Sequence, residues 1–147
     1  MKRINDLLPH AMKALKDSGL VLQGNRILEE YDGYVASFPP SVITAGLRAT
    51  LSFYSDKHKE SNDPGAQPRR NHILKILHQI YRSGSGALQG EDLLTIALSE
   101  NRTGTELGQL KKDLTDAAIA LKLVMRNFNQ VDKTALTTTD HETSTPV

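Results

Sequence analysis

Apolar residues recur at helical spacing along almost the whole chain, and this periodicity is the strongest constraint on what it can fold into. In "NHILKILHQIYRSG", Ile73, Ile76, Leu77, Ile80 and Tyr81 stand at i, i+3, i+4, i+7 and i+8, one face of an amphipathic helix. No run of period-two alternation is convincing as a strand, so the chain is expected to be all-α. With 147 residues, only three Phe and no Trp, the core must rest on Leu, Ile, Val and Ala in a single domain.

Punctuation along the chain divides it into about six helices. The first runs from about Arg3 to Asp17 and closes at Gly19, with a kink or a late start at Pro9. The second spans Arg26 to Phe38 with Asn25 as N-cap, and Pro39-Pro40 is expected to separate it from the third, because proline suits a helix's first turn. "ESNDPGAQPRRN", Glu60 to Asn71, reads as a loop. The amphipathic segment is the fourth helix, ended by Gly84 and Gly86. The fifth runs from about Gly90 to Glu100 and the sixth from about Thr105 to Asn129. Residues 132–147, rich in Thr and with three acids against one Lys, read as a disordered acidic tail. The expectation is a compact helical bundle over residues 1–131 followed by that tail.

Charge and motif content exclude several function classes. A net charge of +1 gives no bulk argument for polyanion binding, although residues 1–131 alone carry +3. The absence of Cys removes disulfides, thiolate zinc sites and cysteine nucleophiles. "GSGALQG", Gly84 to Gly90, follows a helix and lacks the Lys-Ser/Thr ending of a phosphate-binding loop. His10, His58, His72, His78 and His141 include no i, i+4 pair, and no carboxylate cluster accompanies them, so no metal site and no cofactor are expected. No nucleophile elbow or triad is visible, and the chain is expected not to be an enzyme. It has no apolar run long enough to span a bilayer, and a cytoplasmic protein is expected.

Two helices carry the remaining signals. At about 100° per residue, Ile43, Gly46, Leu47, Thr50, Leu51, Phe53 and Tyr54 share the core side of the third helix. Gly46 on that side implies close passage of another backbone. Thr44, Arg48, Ser52 and Ser55 fall opposite, a small polar strip able to accept a phosphate. Spacing alone leaves Arg48 open to two readings, a solvated surface residue or a phosphate ligand. In the sixth helix, Leu107, Leu110, Leu114, Ala117, Leu121, Met125 and Phe128 form the core stripe, and Lys111, Lys122 and Arg126 line one edge. Such a row tracks a phosphodiester backbone or simply snorkels. Ile119 and Leu123 face away from the stripe, towards another helix of the domain or a partner. "LLTIALSENRTGTELGQLKKDL" also reads as a helix-turn-helix, which makes DNA binding a minor alternative.

The stretch "SFPPSVITAGLRATLSFYSDK" resembles the signature of the small subunit of Cmr-type (type III-B) CRISPR effector complexes. The matching positions are Phe38-Pro39, Gly46-Leu47, Leu51, Phe53-Tyr54 and Lys57. The order of the downstream elements is similar too: a loop, a central amphipathic helix, a short helix with "EDLL", and a long helix ending in a basic-aromatic element, here Arg126 and Phe128. The resemblance implies a non-catalytic helical bundle, several copies of which stack along the guide RNA-target RNA duplex beside the backbone subunits. Its partners would be guide RNA, target RNA, those subunits and neighbouring copies of itself. On this reading Arg48, Lys57, Lys111, Lys122 and Arg126 contact target-strand phosphates, with Lys75 and Arg82 as further candidates. The rival reading is a protein-protein adaptor in which Ile119 and Leu123 carry the function.

Overall fold

The sixth expected helix is the element against which three of the others pack. The computed structural model describes residues 2–55, 69–85, 93–98 and 104–131. In chain order it contains α1 (Lys2–Asp17), β1 (Arg26–Leu28), α2 (Glu29–Ala45), α3 (Leu47–Tyr54), α4 (Arg69–Ser85), α5 (Leu93–Leu98), α6 (Gly104–Met125) and β2 (Asn129–Val131). The fold is all-α apart from the short parallel pair β1–β2, in register Arg26↔Asn129 to Leu28↔Val131. Leu110, Leu114, Ala117, Leu121 and Met125 are buried along α6, which packs against α1, α2 and α4. Phe128 closes the same core, just beyond the helix end. On α4, Ile73, Ile76, Leu77 and Ile80 are buried as their spacing requires.

Several expected boundaries are corrected. Asn25 is not a helix cap: it sits at φ 54 in the tight turn that pairs Leu22 with Arg26, and Arg26–Leu28 is strand, with Leu28 preceding α2. Three residues are too few to display period-two alternation, so pattern reading had nothing to find there. Helix α1 begins at Lys2 and runs through Pro9 without a late start. Arg69, Arg70 and Asn71, expected in the loop, form the first turn of α4, which continues through Gly84 to Ser85. Residues 56–68, 86–92, 99–103 and 132–147, including the expected tail, lie outside the described residues.

The larger correction concerns Pro39-Pro40, which lies inside α2 and does not separate two helices. Each proline removes an i−4 hydrogen bond, at a cost of about 3 kcal/mol. Tyr31, Val35, Phe38 and Val42 on the same helix are buried in the core, and each such burial contributes about 1.5–3 kcal/mol. Tertiary packing therefore holds a helix that local propensity would interrupt.

The break comes instead at Gly46, at φ 91 and ψ 162. Its N–H donates to Val42 O at 3.0 Å and its carbonyl accepts from Thr50 N at 3.1 Å, so it ends α2 and opens α3 within continuous hydrogen bonding. A Cβ there would meet nothing within 4 Å, which corrects the expected close backbone approach. The requirement is conformational, because this region of φ/ψ space is open essentially to glycine alone. Gly46→Ala is expected to cost about 1–2 kcal/mol, and Gly46→Leu little more, since the space is empty. Urea titration of the two variants checks this; a much larger loss for Leu would restore the close-packing explanation.

Candidate nucleic-acid interface

Because α2 turns into α3 at Gly46, the first turn of α3 lies beside the first turns of α6. Leu47, Ala49, Leu107 and Gly108 line a groove of about 480 Å3 there, and Arg48 and Lys111 stand on its walls. Two cations from segments sixty residues apart in sequence thus meet over a mostly apolar floor. Arg48 is exposed, and its Nε donates to Ala97 O at 2.6 Å, which ties α3 to α5. Lys111 is exposed and, among the described residues, forms no ion pair.

The polar strip around Arg48 is less available than spacing suggested. Thr44 Oγ1 donates to Pro40 O at 2.9 Å and Ser52 Oγ donates to Arg48 O at 2.9 Å, so both hydroxyl protons are spent on their own helices. Ile43 and Phe53, expected in the core, are 77% and 56% exposed. The helical phase carried through Gly46 is reset by the break, so Ile43 no longer shares a face with Leu47.

The row along α6 is also divided. Lys122 is engaged by Asp32 of α2 in a part-buried ion pair. Arg126 is exposed but stands past Met125, beyond the helix, so helical periodicity does not place it in the row. Lys75 is exposed on α4 and Arg82 is half-buried in its last turn. Lys57 lies outside the described residues. Ile119 and Leu123 are half-buried and pack against the core of the domain itself.

Two features escaped sequence reasoning. Arg70, at the start of α4, lays its guanidinium 3.9 Å from the centre of the Phe53 ring. Tyr54, next along α3, is fixed from α2: its hydroxyl donates to Tyr34 O at 2.7 Å and lies 2.8 Å from Ser37 Oγ. Burial pushes the Tyr54 phenol above the ordinary tyrosine range, against smaller opposing effects of Ser37 and Arg70. Neither contact has a sequence signal, since each depends on how distant segments of the chain return to one another.

Two cations over an apolar floor are chemically suited to an anion or an apolar partner. A second pocket of about 380 Å3, between α1 and α6, sets Arg3 and Lys112 against Asp113 and Asp116 and so has no net preference for anions. Among the described residues no group of three or more His, Asp or Glu side chains could hold a metal ion, and no helix is long and apolar enough to cross a membrane.

A family model described as "CRISPR-associated protein (Cas_Cmr5)" matches residues 8–121, well over half of the chain. No curated protein and no solved structure matches. The matched span runs from α1 to Leu121, one turn short of the end of α6, and contains both walls of the Arg48/Lys111 groove.

Proposed function

The chain belongs to the Cas_Cmr5 family of CRISPR-associated proteins, the small subunits of Cmr-type (type III-B) complexes, and on that premise we propose that it is a non-catalytic RNA-contacting subunit. Copies stack along the guide RNA-target RNA duplex and meet target-strand phosphates. The observation that supports this reading most is the meeting of Arg48 and Lys111 at one groove. Each brings a full charge to the surface with no carboxylate beside it among the described residues. Arg forks and Lys point charges are the usual phosphate partners, and they fix register rather than read sequence. Lys75 and Arg126 are further exposed cations, and Lys57 remains a candidate of the same kind. Lys122 and Arg82 are weaker ones, the first because Asp32 already holds its charge.

The second reading, a protein-protein adaptor, is favoured by a specific observation: Ile43 and Leu98 are strongly exposed, and the groove floor is apolar. Ile119 and Leu123, half-covered by the core, support it less than their spacing suggested. Crosslinking with peptide identification on the reconstituted complex separates the two. RNA crosslinks on peptides holding Arg48 and Lys111 are expected, and protein crosslinks alone at this groove would favour the adaptor. In solution, neutralising either Arg48 or Lys111 should weaken RNA binding and lower the slope of log K against log salt by about 1. An unchanged slope for both variants would overturn the phosphate assignment.

A further inference from the structure

The exposed face of α3 carries Arg48 at one end and Phe53 at the other. Arg48, Ala49, Ser52 and Phe53 are all exposed, whereas Leu47, Thr50, Leu51 and Tyr54 are buried. Five residues apart on an α-helix, the two are separated by roughly 7.5 Å along the axis and about 140° around it, so a cation and an aromatic ring stand at the two edges of the exposed arc, with only Ser52 and Ala49 between them. A lone exposed aromatic is unremarkable. Phe53 differs because its plane is set from two sides: the Arg70 guanidinium lies 3.9 Å from the ring centre, and the Tyr54 ring meets it at 74° with centroids 5.9 Å apart. More than half of Phe53 nonetheless faces solvent.

We infer that Phe53, held by Arg70, is a stacking platform for one unpaired base of an RNA strand whose phosphates lie over Arg48. This rests on the RNA-contact reading above and adds to it a base-contacting residue. A ring whose orientation is already fixed loses little freedom when a base stacks on it, and its quadrupole is polarised by the cation on its other side. Stacking of this kind accepts any base, because every base has a π face, and it suits a subunit that must follow strands of any sequence.

The absence of Trp from the chain provides a direct probe. Full-length protein is titrated with a short single-stranded oligoribonucleotide, followed by anisotropy for wild type and Phe53→Ala and by indole emission for Phe53→Trp. Phe53→Ala is expected to weaken binding about tenfold with an unchanged salt slope, whereas Arg48→Gln lowers the slope. The indole introduced by Phe53→Trp should keep the affinity and be quenched on binding, and an abasic oligonucleotide should remove both the quenching and the Phe53→Ala deficit. If wild type binds RNA with the expected salt dependence but Phe53→Ala binds equally well and the indole stays unquenched, the platform is wrong while phosphate contact stands. If wild type shows no salt-dependent RNA binding, the RNA reading fails and the platform falls with it.

Discussion

Phe38→Ala should destabilise the protein by about 3–5 kcal/mol, a fall in Tm on the order of 10 °C. Phe38 has no exposed surface and meets the Tyr54 ring edge-on, with centroids 5.3 Å apart at 85°. It sits directly before Pro39-Pro40, where α2 lacks two backbone hydrogen bonds. Its ring therefore does more than fill volume, because the packing that offsets the proline penalty is centred on it. Truncation leaves a cavity between α2 and α3 and removes the ring against which Tyr54 is set, while the hydrogen bonds from Tyr54 to Tyr34 and Ser37 remain to limit collapse. Denaturant unfolding, with Phe38→Leu alongside as the milder change, gives the measurement: the midpoint should fall at nearly constant m. A loss under about 1 kcal/mol would mean that α2 and α3 are not held together through this ring pair.

How far such features were legible depended on whether their cause was local. The core stripes of α4 and α6 follow from spacing alone, and Leu110, Leu114, Ala117 and Leu121 are buried as expected. The end of α1 near Gly19 was legible for the same reason. The path of α2 was not, since its prolines argue for a break that only tertiary contacts overrule. Gly46 stands out in the sequence, but its cause is its own backbone conformation and not a neighbouring chain. The exposure of Ile43 has the same origin, as a helical phase cannot be carried across a residue at positive φ. At the candidate site, spacing placed Arg48 away from the core and Lys111 on an exposed edge of α6. It could not show that the two share a groove, nor that Asp32, ninety residues from Lys122, takes the latter's charge. The family resemblance identified the chain where periodicity stopped, and the match over residues 8–121 bears it out.

That ion pair provides the second large effect. The side chains of Lys122 and Asp32 are only 29% and 16% exposed, and Asp32 Oδ1 is buried without a hydrogen-bond partner. Lys122→Ala would leave the carboxylate on α2 with neither oxygen paired by this contact. Removing one partner of a fully buried pair costs about 3–5 kcal/mol; with Lys122 partly solvated the expected loss is about 2–3 kcal/mol. Asp32→Ala should cost less, because a lysine can extend its ammonium towards water where an aspartate cannot. Replacing both with apolar residues should recover much of the loss, as a part-buried pair gains little over good packing. The same variants separate anchoring from RNA contact. If Lys122 chiefly ties α6 to α2, Lys122→Ala lowers stability but leaves the salt slope of RNA binding unchanged, and Asp32→Asn, which frees the ammonium, steepens the slope by about 1. A Lys122→Ala variant that melts like wild type yet binds RNA with a shallower slope would reverse the assignment and make Lys122 a phosphate ligand that Asp32 merely orients.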